Sequence, residues 1–154
     1  MPYEARVAEG DGDRDACFAV RTEVFVGEQG VPAALESDAD DRGAVHVLAV
    51  GPDGPLGAGR LLHGPPAAAR NGGDERVGVL GRLAVTRAAR RLGVGAALVR
   101  TMEGEGRRLG LSAIDLHAQE SATGFYERLG YTAYGEEFRE AGIAHRSMRK
   151  PLQP

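Results

Sequence analysis

The sequence lacks paired cysteines, long apolar runs and a signal peptide. Its single cysteine, Cys17, cannot form an internal disulfide and has no second thiol for a cysteine-rich metal site. No apolar stretch approaches the ~18 residues that a transmembrane helix needs. The N-terminus MPYEARVAEG lacks the basic and then apolar run of a signal peptide. We therefore expect a cytoplasmic protein with no membrane partner, and we expect Cys17 to be a small core residue on a helix.

The sequence also lacks an excess of charge of one sign. Its 19 basic and 22 acidic residues give a formal net charge of −3, which does not predict a large basic surface for binding nucleic acid. With 154 residues and 42% hydrophobic content, the chain fits one core. We predict a single domain over residues 1–154 that does not bind nucleic acid.

The pattern of apolar residues predicts strands and helices in a mixed order. We expect strands at 3–9, 44–50, 55–62, 77–85, 112–118, 131–138 and 143–150, and helices at 12–30, 95–109 and 121–130. The Pro- and Asp-rich segment 31–43 and the aperiodic segment 63–75 are predicted as loops. This order predicts an α/β (α+β) fold with a mixed sheet, whose parallel part lies around the crossover helices.

The stretch RRLGVGAAL, residues 90–98, places Gly93 and Gly95 at a predicted helix start. Backbone N–H groups there are unpaired and the helix dipole adds partial positive charge, so the turn can bind a phosphate. A dinucleotide fingerprint fails because Leu98 stands where the third glycine belongs, and a P-loop fails because no Gly-Lys-Ser/Thr follows. A plain helix start with glycines for tight packing is the alternative.

The longer segment GRLAVTRAARRLGVGAALV resembles motif A of the GNAT superfamily, the acyl-CoA-dependent N-acyltransferases. Arg90, Gly93 and Gly95 match its pattern Gln/Arg-x-x-Gly-x-Gly/Ala. The downstream AQESATGFYERLGY resembles the family's next motif, and VRTEVFVGEQGVP, ESDADD and GIAHRSM are similar to the bacterial ElaA-like branch. The resemblance implies the GNAT fold, with a mixed sheet splayed between its two central strands and about four flanking helices. It also implies acetyl-CoA as co-substrate and no metal.

The resemblance assigns residues to the cofactor. Those that would bind the CoA pyrophosphate through backbone N–H groups are Leu92, Gly93, Val94, Gly95 and Ala96. Those that would offer backbone groups to the pantetheine arm are Leu83, Ala84 and Val85. Arg90 and Arg91 would add positive charge at the turn. Gln119 stands where many relatives have Asn, and its amide would bond the cofactor arm or cap the helix at Glu120.

Tyr126 matches the family's usual general acid, placed beside the thioester sulfur to protonate the departing thiolate. An aromatic ring that merely anchors its helix is the alternative.

The attacking amine must first lose a proton, because the ammonium ion has no lone pair. The candidate bases are Glu28, His117 and His145. His117 alternates with Ile114 and Leu116, so we expect it to project from the opposite face of its strand. A relay through water is common in the family, and a structural role for each histidine is the alternative.

Four carboxylates lie close together in the segment 36–41: Glu36, Asp38, Asp40 and Asp41. At the acceptor mouth they would attract a cationic amine. A solvated acidic loop is the alternative.

Six positions also resemble the acyl-homoserine-lactone synthases: Arg21, Phe25, Glu36, Asp38, Asp41 and Arg60. Those enzymes keep a tryptophan that is absent here and generally lack the intact pyrophosphate turn. The preferred function is an N-acetyltransferase that transfers the acetyl group of acetyl-CoA to a primary amine by direct attack. A lactone-synthase-like acyltransferase and a non-catalytic CoA-binding module are the alternatives. Exposed edge strands lead us to expect a homodimer.

Overall fold

The computed structural model describes residues 2–153 and contains one seven-stranded sheet. The strands are β1 (Glu4–Val7), β2 (Val45–Gly51), β3 (Gly54–Leu62), β4 (Val77–Val85), β5 (Ala113–Gln119), β6 (Thr132–Glu140) and β7 (Ile143–Pro151). Their order across the sheet is β1-β2-β3-β4-β5-β7-β6. The β4–β5 pair is parallel and the five other neighbouring pairs are antiparallel. The predicted mixed sheet is therefore confirmed.

Helices cover both faces of this sheet. They are α1 (Gly10–Arg21), α2 (Ala33–Glu36), α3 (Pro65–Asn71), α4 (Val94–Arg108) and α5 (Thr123–Arg128). A π-helical segment, Thr22–Glu28, continues α1. The crossover that the parallel pair requires is α4, which links β4 to β5. No helix in the part of the chain that the structure describes is long and apolar enough to cross a membrane.

Two segments predicted as loops contain helices, so those predictions are wrong. The segment 31–43 holds α2 and a 3₁₀ turn, and the segment 63–75 holds α3. In α3 two prolines occupy the first helical turn, where a missing N–H costs nothing, and three alanines follow. Gly72, with φ of 93°, ends the helix in the left-handed conformation. With only seven residues, α3 is too short to produce a helical period in the sequence.

Apolar residues pack on both sides of the sheet. On the first face, Leu98 and Met102 of α4 pack with Ile114 of β5 and are fully buried. On the second face, α1 packs with the same sheet through a separate cluster that includes Cys17. Cys17 is fully buried on α1, as expected, and its Sγ lies 3.5 Å from the carbonyl oxygen of Val47. Burial raises the pKa of its thiol to about 11, so the thiol stays protonated and unreactive.

Candidate functional site

The central parallel strands separate halfway along their length. Val77–Leu80 of β4 pair with Ala113–Leu116 of β5, and the register between the two strands ends there. Beyond this point β4 continues to Val85, where its other edge is still paired with Gly57 of β3. The splayed sheet that the resemblance implied is confirmed. It leaves a gap between β4 and β5, along which the backbone of β4 presents groups that β5 does not bind.

A β-bulge at Arg82 turns β4 at the start of this gap. Arg82 has φ of +52°, a left-handed conformation that is costly for a residue other than glycine. Its Nε donates to the carbonyl oxygen of Glu36 at 3.0 Å, and its Nη2 donates to the carboxylate of Asp38 at 3.3 Å. These contacts hold the strained bulge in place.

The three β4 residues predicted for the pantetheine arm follow the bulge. Ala84 is 3% exposed and packs in the second-face core. Leu83 and Val85 pack against the first-face core. Their side chains are thus occupied in packing, and the gap is edged by their backbone.

The predicted pyrophosphate turn forms the N-terminus of α4. The helix begins at Val94, one residue before the predicted start, and Gly93 caps it with φ of +81°. The first helical bond runs from the N–H of Ala97 to the carbonyl oxygen of Gly93, at 3.0 Å. The N–H groups of Val94, Gly95 and Ala96 therefore have no partner within the helix. Leu92 and Arg91 lie exposed on the turn before them.

Gly95 also lies against α5. A Cβ atom built on it would be 3.2 Å from Cζ of Phe125, which is tighter than an ordinary van der Waals contact. The alternative interpretation of this glycine, close packing of a helix, is therefore realised in the structure. The contact with Phe125 is compatible with anion binding, because the N–H of Gly95 points along the helix axis whereas its Cα hydrogens point away from the axis.

The side chain of Arg90 reaches back from the turn to the end of the π-helical segment. Its Nη2 lies 2.8 Å and 2.9 Å from the two carboxylate oxygens of Glu28, and its Nε donates to the carbonyl oxygen of Val85 at 3.1 Å. Arg87 lies 3.4 Å from the same carboxylate. The hydrogen bond from Arg90 is the main reason that the pKa of Glu28 is lowered. Glu28 is therefore a weaker base than a free glutamate, and an anion at the turn would compete with it for Arg90.

Tyr126 lies on α5 in the first-face core. It is 8% exposed, and the rings of Phe125 and Tyr131 lie 5.0 Å and 5.9 Å from its own. Burial raises the pKa of its hydroxyl far above the usual value, so the group stays protonated. A proton donor must be in this state before it acts.

Two of the candidate bases meet on the second face, around a carboxylate that the sequence analysis did not identify. Nδ1 of His117 lies 3.2 Å from Oε1 of Glu140, and Nε2 of His145 lies 3.7 Å from its Oε2. Phe138 packs edge-on against His117 and stacks on His145. We call His117, Phe138, Glu140 and His145 the histidine cluster. Glu140 was missed because the predicted strand stopped at Phe138, whereas β6 continues to Glu140.

Gln119 ends β5 beside this cluster. Its Nε2 lies 3.4 Å from Oε1 of Gln29, which follows the π-helical segment. Its side chain makes no capping bond to the 3₁₀ turn that follows it, so the capping interpretation is wrong.

The acidic segment is neither a solvated loop nor a free negative surface. Three of its carboxylates bind buried or half-buried arginines in an arginine–carboxylate network that consists of Arg21, Glu36, Asp38, Asp41, Arg60 and Arg82. Arg21, which is 1% exposed, lies 2.8 Å from Glu36 and 2.8 Å from Asp41. The remaining carboxylate, Asp40, lies 2.9 Å from Arg70. Arginines from α1, α3, β3 and β4 therefore neutralise the negative charge of the segment 36–41. The sequence had suggested that this charge could attract a cationic acceptor.

The positions shared with the acyl-homoserine-lactone synthases have structural roles here. Five of them lie in the arginine–carboxylate network, and the sixth, Phe25, packs against the second-face core. These residues join α1 and the segment after it to the sheet, so they do not identify an acceptor. Among residues 2–153 no group of three His, Cys, Asp or Glu residues is arranged to hold a metal ion.

Comparisons with known proteins agree with this geometry. Residues 11–152 match the family model described as an acetyltransferase (GNAT) domain. An uncharacterised N-acetyltransferase of Bacillus subtilis, YjcF, is 34% identical over 148 residues, which cover 96% of this chain and 99% of that protein. Escherichia coli ElaA superposes with a TM-score of 0.78 at 25% identity, over 97% of this chain and 98% of that one. An acyl-CoA N-acyltransferase from Pseudomonas aeruginosa superposes with a TM-score of 0.77 at 30% identity, with the same coverage. This chain therefore belongs to the GNAT acetyltransferase family.

Proposed function

We propose that this protein transfers the acetyl group of acetyl-CoA to a primary amine by direct attack. The observation that carries the proposal is the gap between β4 and β5. The N-terminus of α4 and the buried Tyr126 lie on the first face of the sheet, and the histidine cluster lies on the second face, which supports a site that spans the gap. A thioester held in such a gap is reached by its acid from one side and by the acceptor amine from the other.

The residues around the gap fit coenzyme A. The N–H groups of Val94, Gly95 and Ala96, together with Arg90 and Arg91, offer the donors and charge that a pyrophosphate requires. The unpaired edge of β4 suits an extended arm that contains amides, which would bind it as an added strand binds a sheet edge. When bound, the co-substrate would supply the acyl group as a thioester, whose carbonyl carbon accepts a nucleophile.

Tyr126 would then donate its proton to the sulfur as the thiolate departs. A thiolate with a pKa near ~8.5 is a tolerable leaving group, so we expect this acid to contribute about 10²-fold to the rate. The acceptor would be a small amine, a polyamine, or the amine of a lysine or N-terminus. A preference for cationic amines finds no support in the compensated acidic segment. The homodimer also stays a proposal, for which β1 and β6 offer the two edges of the sheet.

A transfer assay tests the proposed function. Acetyl-CoA is incubated with a panel of primary amines, free thiol is followed over time, and products are identified by mass spectrometry. We expect thiol release that depends on both the enzyme and the amine. Binding of CoA without transfer to any amine would instead favour the non-catalytic module. A homoserine-lactone product would favour the lactone-synthase alternative.

Replacing Arg90 with Gln is expected to weaken CoA binding about ten-fold, measured by calorimetry. A charge-assisted hydrogen bond to a phosphate contributes ~1.5–3 kcal/mol, and the lower end applies because Arg90 must first leave Glu28. Arg100→Gln is the matched control, since it removes the same charge from an exposed position on α4. Glu28→Gln is expected to tighten binding, because it releases Arg90. Equal affinity of wild type and Arg90→Gln would exclude Arg90 from the cofactor site.

A further inference from the structure

We infer that His117 is the general base that takes the proton of the acceptor amine. Glu140 is the positioning residue, which orients the His117 ring and fixes its tautomer through a hydrogen bond. The inference rests on the proposed function and selects one base among the three candidates. It also assigns a role to Glu140.

The position of His117 is the first argument. Leu116 is the last residue of β5 that pairs with β4, so His117 stands where the gap opens. Its neighbours Leu116 and Ala118 pack in the first-face core, and the side chain of His117 therefore lies on the second face. Tyr126 belongs to the first-face core. Acid and base thus lie on opposite faces of the sheet, so that His117 would take the proton of the amine that adds to the thioester carbonyl while Tyr126 would give one to the departing thiolate.

The hydrogen bond to Glu140 is the second argument. A carboxylate only accepts hydrogen bonds, so Nδ1 of His117, 3.2 Å from Oε1 of Glu140, carries the ring proton. Nε2 then keeps a lone pair and can accept a proton. The side chain of His117 is 30% exposed, which leaves the ring accessible. Phe138 packs edge-on against the ring at a centroid distance of 5.0 Å and restricts its orientation.

The contacts of the other two candidates argue against them. His145 is 6% exposed, its Nδ1 donates to the carbonyl oxygen of Ile143 at 2.7 Å, and its Nε2 faces Glu140. Both of its ring nitrogens are therefore directed at protein groups. The pKa of Glu28 is lowered, chiefly by the hydrogen bond from Arg90, whereas the pKa of His117 is raised, so His117 is the stronger base of the two. Of the two histidines, His117 has the more exposed side chain, 30% against 8% for His145.

Several charged groups act on His117. Glu140 on β6 raises the pKa of His117 through the hydrogen bond, Asp115 on β5 acts in the same direction, and Arg70 on α3 opposes both. His145 on β7 shares Glu140 with His117. Because its pKa is raised, the His117 ring stays protonated to higher pH than a free histidine. It can accept a proton only when the pH is above that raised pKa. The rate should therefore rise with pH as His117 loses its proton.

The test compares Glu140→Gln with Glu137→Gln in the full-length protein. Glu137 is exposed on the same strand and serves as the matched control. We expect Glu140→Gln to shift the acidic limb of the kcat/KM profile to lower pH, because the amide no longer stabilises the protonated ring. We also expect it to lower the pKa of His117 in an NMR titration. His117→Gln should lower kcat about 100-fold and leave CoA affinity unchanged. Glu137→Gln should change none of these quantities.

Each outcome is decisive. Wild-type kcat in His117→Gln would overturn the role of the base. An unshifted acidic limb and an unshifted His117 titration in Glu140→Gln would overturn the role of Glu140. Both results presuppose a wild-type protein that transfers acetyl groups. A wild type that transfers to no amine would overturn the proposed function itself, so the two failures are distinguishable.

Discussion

Replacing Asp41 with Asn is expected to lower the free energy of unfolding by about 3 kcal/mol. Asp41 is 7% exposed and accepts hydrogen bonds from Arg21 and Arg60, which are each 1% exposed. Removal of one partner from a buried ion pair costs ~3–5 kcal/mol, because a charge stays buried without compensation. The lower end applies here because each arginine keeps a second carboxylate, Glu36 or Asp38. Urea unfolding followed by circular dichroism measures the change.

Asp40→Asn is the matched control for this prediction. The side chain of its partner, Arg70, is 38% exposed, so the loss should stay under ~1 kcal/mol. Equal stability of the wild type and Asp41→Asn at pH 7 would show that the network does not stabilise the fold.

The destabilisation by Asp41→Asn should also depend on pH. Burial alone would raise the pKa of Asp41, but the hydrogen bonds from Arg21 and the neighbouring donors outweigh it and hold the pKa far below its usual value. The unfolded chain, with a pKa of ~3.9 at this residue, therefore takes up the proton first as pH falls. The stabilisation is complete above about pH 5 and is lost as pH drops toward the folded-state pKa. The difference between wild type and variant should accordingly narrow in acid.

Tyr126→Phe is expected to lower kcat about 100-fold with little change in CoA affinity. The substitution keeps the buried ring and removes only the hydroxyl that would protonate the thiolate. Steady-state kinetics at saturating acetyl-CoA, together with calorimetry, separate the two quantities. Tyr131→Phe is the matched control, because it removes a hydroxyl that binds Glu103 in the same aromatic group. Tyr131→Phe should lower stability and leave kcat unchanged, whereas full turnover in Tyr126→Phe would exclude that residue from the chemistry.

The strand bounds, the helix start and the motifs that were predicted correctly are each determined by a short, continuous segment of sequence. The bounds of β4 were predicted without error, because a long apolar run defines that strand by itself. The start of α4 was predicted within one residue, because Gly93 ends the preceding turn. The family motifs likewise led to the gap between β4 and β5. In each case the information lies within about 20 residues of sequence.

The features that were not predicted depend on residues far apart in the chain. Arg82 reaches Glu36 from 46 positions away, and His117 reaches Glu140 from 23 positions away. Periodicity and motif spacing contain no information about such pairs, so the acidic segment was interpreted as exposed and Glu140 was not considered. The buried arginines that pair with those carboxylates come from separate helices and strands. These elements become neighbours only in the folded sheet.

The contact between Gly95 and Phe125 limits how this sequence can diverge during evolution. The family motif allows alanine at position 95, yet its methyl group would lie 3.2 Å from the Phe125 ring and would push that ring away. Phe125 directly precedes Tyr126 in α5, and the two rings are in edge-on contact at a centroid distance of 5.0 Å, so a shift of the Phe125 ring would also disturb the packing of Tyr126. Alanine at position 95 therefore requires the Phe125 ring to shift by a few tenths of an ångström, or a smaller side chain at position 125. We therefore expect the two positions to be coupled, so that a smaller side chain at position 125 relieves the cost of Gly95→Ala.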